Sequence, residues 1–288
     1  MAELHVLFPA DPLDPRRVDE HYAREAEALQ GFGVPYSLVD DDALAGDGAV
    51  TLKDAPPPGG QVLYRGWMLS SAAYGKLANE LARRGLTPVT GALAYKTAHE
   101  LPGWYETLLA LTPRSVELDA NTQEATGRAF EELGAKSAIV RDYTKSMKHH
   151  WDTACFIPDC SNPIAAFATI TNFLALRDTE LTGKVILRQF ETFVSHEVRT
   201  WWMDGALTLV TPHPDTPDEL PVDPDATDWL PTRLTDAIGR LDVRFVTVDL
   251  AINENGEWRV VELGDGQVSD LPSTTPAPNL YEALLNGL

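Results

Sequence analysis

Two acidic residues, Asp249 and Glu262, stand in a pattern that can hold a divalent cation. They belong to the apolar runs Phe245-Val246-Thr247-Val248 and Val260-Val261, on either side of Asn255-Gly256. Asn-Gly between two such runs favours a two-residue type I′ hairpin, in which both central residues need φ > 0. Counting inward from that loop, Glu254 faces Glu257, Asn253 faces Trp258, Ala251 faces Val260 and Asp249 faces Glu262. Directly opposed residues have Cβ atoms about 4.5–5.5 Å apart, and like charges there repel. A neutralised carboxyl, or a nearby Arg or Lys, would relieve the repulsion. In strands this apolar the acids sit deep in a sheet, which favours an oxygen-seeking cation. Magnesium commonly uses one or two carboxylates together with substrate phosphates. Asp265 and Gln267, just past the second strand, are the candidates to complete its shell.

The elements that must position this pair fall into three sections. The first ~110 residues alternate strands and helices, which implies a mostly parallel sheet. Strands are expected over His5 to Phe8, Val34 to Val39, Gln61 to Gly66 and Thr87 to Thr90, with helices over Arg17 to Gln30 and Ser70 to Arg84. Gly46 to Gly60, rich in Pro and Gly, reads as a loop. A second section begins near Thr112-Pro113. There Asn121 and Glu124 resemble a capping box opening a helix to about Leu133. Ser137 to Tyr143, Thr153 to Pro158 and Lys184 to Phe190 read as strands, and Asn162-Pro163 opens a helix to about Arg177. The last section has antiparallel signals: His196 to Met203 and Ala206 to Thr211 flank Asp204-Gly205, ahead of the hairpin described above. The acidic stretch Pro212 to Pro231 reads as a surface loop.

The chain has 288 residues, 44% of them hydrophobic, enough for one large or two ordinary domains with sizeable cores. The formal net charge of −20 speaks against passive binding to nucleic acid or an anionic membrane, without excluding a local basic groove. No apolar run reaches the ~18 residues of a membrane span. Met1-Ala2-Glu3-Leu4 has no basic n-region and is not expected to be a signal peptide. Cys155 and Cys160 match no common zinc spacing and are read as reduced thiols of a cytoplasmic protein.

The hairpin segments Val248-Asp249-Leu250, Gly256-Glu257-Trp258 and Val261-Glu262-Leu263 resemble the final metal-binding hairpin of the ATP-grasp superfamily. In that family the second acid is usually followed two residues later by Asn. Here Gly264 holds that position, and Asp265 is the substitute ligand. Upstream, Lys184 to Glu191 resembles the family's adenine-contacting hinge strand, and Glu197-Val198-Arg199 its Glu-x-Arg strand. Ala138 to Asp142 resembles the strand that carries an ATP-binding Lys, with Arg141 in that place. A glycine-rich phosphate loop should follow, but Tyr143 to Trp151 contains no glycine. With Tyr64-Arg65-Gly66-Trp67 and Tyr143 to Ser146, the chain looks most like a divergent ATP-grasp branch named for two arginines and a lysine.

The resemblance implies an α/β fold of α+β lobes. A parallel-sheet pre-ATP-grasp domain would span 1–111, and an ATP-grasp domain 112–288, with lobes of about 112–190 and 191–288. It implies ATP and Mg²⁺ as cofactors and a small-molecule or peptide substrate. Asp249, Glu262 and Asp265 would hold magnesium. Arg141, Lys145, Ser146, Lys148 and Arg188 would meet the phosphates, and Gln189, Phe190 and Glu191 the adenine. Glu197 and Arg199 would reach the nucleotide, with Arg199 and Lys145 catalytic, and Arg65 would hold the substrate carboxylate. The expected activity is a ligase that activates a carboxylate as an acyl phosphate for attack by an amine. The alternatives are an RNA end-modifying or RNA-ligating enzyme and a nucleotide-binding protein without turnover.

Overall fold

The computed structural model describes residues 4–46 and 48–287. The expectation about the first three residues lies outside them, as does position 47 of the Gly46 to Gly60 loop. The first part of the chain runs β1 (Leu4–Pro9), α1 (Ala23–Phe32), β2 (Tyr36–Val39), α2 (Asp41–Ala45), β3 (Leu52–Lys53), β4 (Gln61–Tyr64), α3 (Ser71–Arg83), β5 (Thr87–Pro88), α4 (Ala92–His99) and α5 (Leu101–Leu108). Its five-stranded sheet has the order β3-β2-β1-β4-β5, parallel except for the β2–β3 pair. The helix expected from Arg17 starts at Ala23, after a single 3₁₀ turn at Glu20–Tyr22. Asp40 caps α2 by accepting the Ala43 N–H, so the Asp40-Asp41-Asp42 run opens a helix.

The second part runs β6 (Ser115–Glu117), α6 (Gln123–Leu133), β7 (Ala138–Arg141), β8 (Phe156–Ile157), α7 (Pro163–Arg177) and β9 (Ile186–Gln189), with an antiparallel sheet in the order β6-β9-β7-β8. Thr122 caps α6 in place of the expected Asn121. The strand expected from Thr153 is a π-helical turn, Trp151–Cys155, with only Phe156 and Ile157 paired. Both cysteines are free and buried.

The third part is β10 (Val198–Met203), β11 (Ala206–Pro212), α8 (Thr232–Ile238), β12 (Phe245–Ile252), β13 (Trp258–Asp265) and α9 (Ala277–Gly287). Its antiparallel sheet has the order β11-β10-β12-β13. Strand alternation gives this sheet two different faces. Val246, Val248, Leu250, Trp202 and Leu263 meet α4, α5 and α8. On the opposite face Trp201, Met203 and Phe245 meet α9 and the first sheet. Trp201 and Trp202 are thus core residues, as their apolar setting suggests.

The β10–β11 turn is the expected one, with φ of 48° at Asp204 and 79° at Gly205. The second hairpin differs. Only Gly256 has a positive φ, and the Asn253 backbone N–H donates to the Glu257 carbonyl across the loop Glu254-Asn255-Gly256. That extra loop residue shifts the register, pairing Ala251 with Arg259 and Leu250 with Val260. A β-bulge at Val261 shifts it back, so that Asp249 does face Glu262.

Two site expectations fail on burial. Arg65 is 1% exposed and does not face a substrate. Its Nε and Nη2 donate to Glu25 at 2.8 and 2.7 Å, and its Nη1 reaches the carbonyls of Gly266, Gln267 and Ser269. It ties β4 to α1 and to the segment after β13. Asp265 is not a partner of Glu262, because it is three residues further along a strand without an intervening bulge and so points to the other face. There it is fully buried, and its Oδ1 accepts from the Gln267 N–H and side-chain amide. Its Oδ2 has no hydrogen-bond partner among the described residues, and the equally sealed Thr90 hydroxyl lies beside it. Burial pushes this carboxyl up to about 7.

Two measurements check these assignments. Arg65→Met leaves Glu25 buried and unpaired and should cost about 3–5 kcal/mol in denaturant unfolding. A substrate-binding role alone would leave stability unchanged. For Asp265, the folded carboxyl holds its proton to a higher pH than the unfolded one. Its contribution to stability is therefore full below about pH 4 and is lost as pH rises toward about 7. Asp265→Asn should remove this slope, stabilising the protein relative to wild type at pH 8 but not at pH 4, by roughly 4 kcal/mol at one pKa unit per 1.36 kcal/mol. Parallel pH profiles for the two proteins would contradict it.

Candidate active site

A cavity of about 500 Å³ opens between the β6–β9 sheet and the β10–β13 sheet. That volume lies in the range of small-molecule sites. Of the residues expected at a nucleotide, Arg141, Lys145, Ser146, Lys148, Arg188, Gln189, Glu191, Glu197 and Glu262 all line it.

Its first wall is cationic. Arg141 ends β7 and Arg188 lies on β9, the strand paired with β7. Both are buried. Arg188 donates only to the Thr112 hydroxyl at 2.7 Å and the Val260 carbonyl at 3.0 Å. Among the described residues it has no carboxylate partner. Burial, then the neighbouring Arg141, push its pKa down to about 9. Arg141 donates to the carbonyls of Asp142 and Thr144 and reaches Glu262 at 3.3 Å. The stretch after β7, which lacks glycine, is shaped by Asp142 instead. The Asp142 carboxylate accepts the N–H groups of Thr144, Lys145 and Thr182 and the Arg177 guanidinium. Burial alone would raise its pKa, but these donors outweigh it and hold it below the usual carboxylate range. The exposed Lys145 is thereby set on a tight turn at the cavity mouth. Lys148, in the following 3₁₀ turn, reaches Asp215 at 2.5 Å. His149 and His150 are exposed in that turn.

The second wall is acidic. Asp249 is 3% exposed at the centre of β12. Arg199, directly opposite on β10, grips both of its oxygens at 2.8 and 2.9 Å. The third arm of Arg199 donates to the Asp270 carbonyl. Neither Arg199 nor Asp249 is among the residues that line the cavity, and the Arg199 donors are taken up by Asp249 and the Asp270 carbonyl. Glu262 is half exposed and faces the cavity. Glu197 is pushed up to about 7, by burial first and then by Asp249 and Glu262.

His213, just past β11, also lines the cavity. Its Nε2 lies 3.6 Å from Asp249 and 3.9 Å from Glu197. Burial, the larger effect, lowers its pKa although Asp249 raises it. Sequence reasoning passed it over because it sits at the edge of an acidic, Pro-rich loop. The signal available was its position at the end of a strand that pairs with the Glu-x-Arg strand.

At the far end, Gln189 faces the cavity, while the Glu191 carboxylate is held by Arg259 with two bonds of 2.9 Å. Phe190 turns away from the cavity and packs edge-on against Phe156 and Trp151.

No curated protein matches this sequence. Solved structures do share its fold. A RimK domain ATP-grasp protein from Sphaerobacter thermophilus aligns with a TM-score of 0.64 at 19% identity, over 98% of this chain and 99% of that one. D-cycloserine synthetase DcsG aligns with a TM-score of 0.64 at 16% identity, over 98% and 99%. The ATP-grasp ligase PsnB, solved with a variant of its minimal precursor, Mg and ADP, aligns with a TM-score of 0.60 at 14% identity, over 100% and 99%. A family model matches residues 132–284, and it describes an ATP-grasp domain, family 3 of the clade named for two arginines and a lysine. This span holds the whole acidic hairpin and all four cations of the facing wall, and by it the chain belongs to that third family of the two-arginine, one-lysine clade of ATP-grasp domains.

Proposed function

We propose that the chain is an ATP- and magnesium-dependent ligase that activates a carboxylate as an acyl phosphate for attack by an amine of a peptide or small metabolite. The observation that carries this reading is the facing of a buried, under-neutralised cationic wall and an acidic hairpin across one cavity. The names of the similar structures, a synthetase and a ligase solved with Mg and ADP, support it. In this reading residues 1–111 form the pre-ATP-grasp domain, and 112–288 form the two nucleotide-binding lobes.

Arg141, Arg188, Lys145 and Lys148 receive the phosphates, with Ser146 as a neutral donor. Gln189 and the backbone at Glu191 face the base. The all-oxygen acids of the hairpin suit a hard cation, and Asp249 and Glu262 hold it. When bound, magnesium neutralises charge on the transferring phosphoryl group. A substrate carboxylate oxygen bonds to the γ-phosphorus as ADP leaves. The amine nitrogen then displaces inorganic phosphate and gives up a proton. The chain contributes positioning and fixed charge: Lys145 would meet the transferring group, and Arg199 holds Asp249 in place through two hydrogen bonds.

The test is ADP and phosphate release with magnesium, ATP and a panel of amino acids and peptides. AMP formation with an RNA end, or ATP binding without turnover, would overturn the assignment. Glu262→Gln is the cleaner hairpin variant, because Glu262 is half exposed and is bonded only by Arg141 among the described residues. It should lower turnover at least about 100-fold, the equivalent of several kcal/mol of lost charge stabilisation, with an unchanged circular dichroism spectrum. Arg188→Met removes a buried cation that has no counter-ion among the described residues. It should weaken ATP binding by calorimetry about tenfold or more while changing stability by no more than about 1 kcal/mol. An equal loss of stability and affinity would make Arg188 a structural residue.

A further inference from the structure

The hairpin offers two carboxylates to a cation where the sequence pattern of the family calls for three side chains. Position 264 supplies none, and two hydroxyls border it. A Cβ on Gly264 would touch Ser269 Oγ and Thr247 Oγ1 at 3.6 Å each, and these hydroxyls bond each other at 2.6 Å. Asp265 points to the opposite face of the sheet from Glu262.

We propose that Glu197 is the third carboxylate of the cation site, reaching it from the neighbouring strand. The inference rests on the metal role given above to Asp249 and Glu262. Glu197 immediately precedes β10 and lies two residues before Arg199, so alternation puts both on the face that carries Asp249. An oxygen of Glu197, an oxygen of Asp249 and a ring nitrogen of His213 all lie within 4.8 Å of one another. Glu197 and Glu262 line the same cavity. Among the described residues, Glu197 forms no ion pair with Arg or Lys, and the basic group it meets is His213 at 3.9 Å. An acid that faces two other acids without a cation of its own is placed to share one.

The third member of the cluster plays a different part. The backbone N–H of Asp215 donates to His213 Nδ1 at 3.1 Å. A neutral imidazole that accepts at Nδ1 carries its proton on Nε2, the atom that faces Asp249 and Glu197. Such a ring turns its N–H toward the two carboxylates, at 3.6 and 3.9 Å, and presents no lone pair to a cation between them. The site is therefore an all-oxygen one, suited to Mg²⁺ or Mn²⁺ and poorly suited to Zn²⁺.

The experiment is Mn²⁺ binding to the full chain, read by electron paramagnetic resonance of the free ion, with and without a non-hydrolysable ATP analogue. Glu197→Gln should weaken Mn²⁺ binding at least about tenfold, Glu197→Asp should weaken it less, and His213→Gln should weaken it less than Glu197→Gln does. The thermal midpoint of each variant reports folding. Wild-type Mn²⁺ affinity in folded Glu197→Gln would overturn the proposal. So would an equal loss in His213→Gln, which would make the ring a ligand. Glu262→Gln separates this inference from the reading beneath it. If Glu262→Gln loses Mn²⁺ and Glu197→Gln keeps it, only the third ligand is wrong. If both keep it, the hairpin is not the cation site at all.

Discussion

Asp249 is ionisable, almost wholly buried and set in the middle of a four-stranded sheet, and Arg199 closes on it from the adjacent strand with two hydrogen bonds. Breaking such a pair by removing one partner leaves an uncompensated buried charge, which is strongly unfavourable. The pairing therefore sets conditions on its surroundings. The β10–β12 register must bring residues 199 and 249 opposite each other, and it does. The sheet must be covered on both faces to keep water out. On one face this is done by α4, α5 and α8, and on the other by α9 and the parallel sheet. Arg199 also bonds the Asp270 carbonyl, so the segment after β13 is fixed by the same residue.

That segment is held from a second side by Arg65, which bonds the carbonyls of Gly266, Gln267 and Ser269. Two buried arginines, one from the parallel sheet and one from the antiparallel sheet, thus converge on one stretch of backbone. Helices α4 and α5 lie in the first 111 residues yet pack on the β10–β13 sheet, and Tyr74 and Tyr95, stacked at 3.9 Å, lie near Asp265 on that same helix-covered face. The acidic hairpin is consequently a rigid platform rather than a loop-borne site, which is what holding like charges together requires.

The hairpin also shows what could be read from residues alone. Apolar runs, Asn-Gly and two acids located both strands, and the opposition of Asp249 and Glu262 came out correctly. It did so because two departures cancel: a longer loop moves the register by one residue, and the bulge at Val261 moves it back. Strand alternation, carried three residues past Glu262, would have placed Asp265 on the other face without any coordinates. Arg65 gives no such warning. Its burial depends on Glu25 and Tyr281, which are distant in sequence and meet only in the folded chain. His213 likewise has no local pattern. Its ring is aimed by a backbone N–H two residues on, in a loop whose composition suggests only solvent exposure. The helix start at Thr122 instead of Asn121, and the π-helical turn at Trp151, are local choices between near-equivalent hydrogen-bond patterns that propensity does not separate.

Charge is distributed in a way that the total of −20 conceals. The cavity gathers Arg141, Arg188, Lys145 and Lys148 on one wall and sets Glu197 and Glu262 on the other. Two contacts already cross between the walls, Arg141 to Glu262 and Lys148 to Asp215. On the proposed function, three of these four groups have other partners: phosphates for the two cations and a metal ion for Glu262. Binding of a metal-nucleotide complex would then exchange these pairs rather than desolvate isolated charges. On the proposed function, a bound phosphate would give Arg188 the counter-ion that the described residues do not supply. On the proposed function, this arrangement suits a ligand that carries both signs at once, a polyphosphate with its cation.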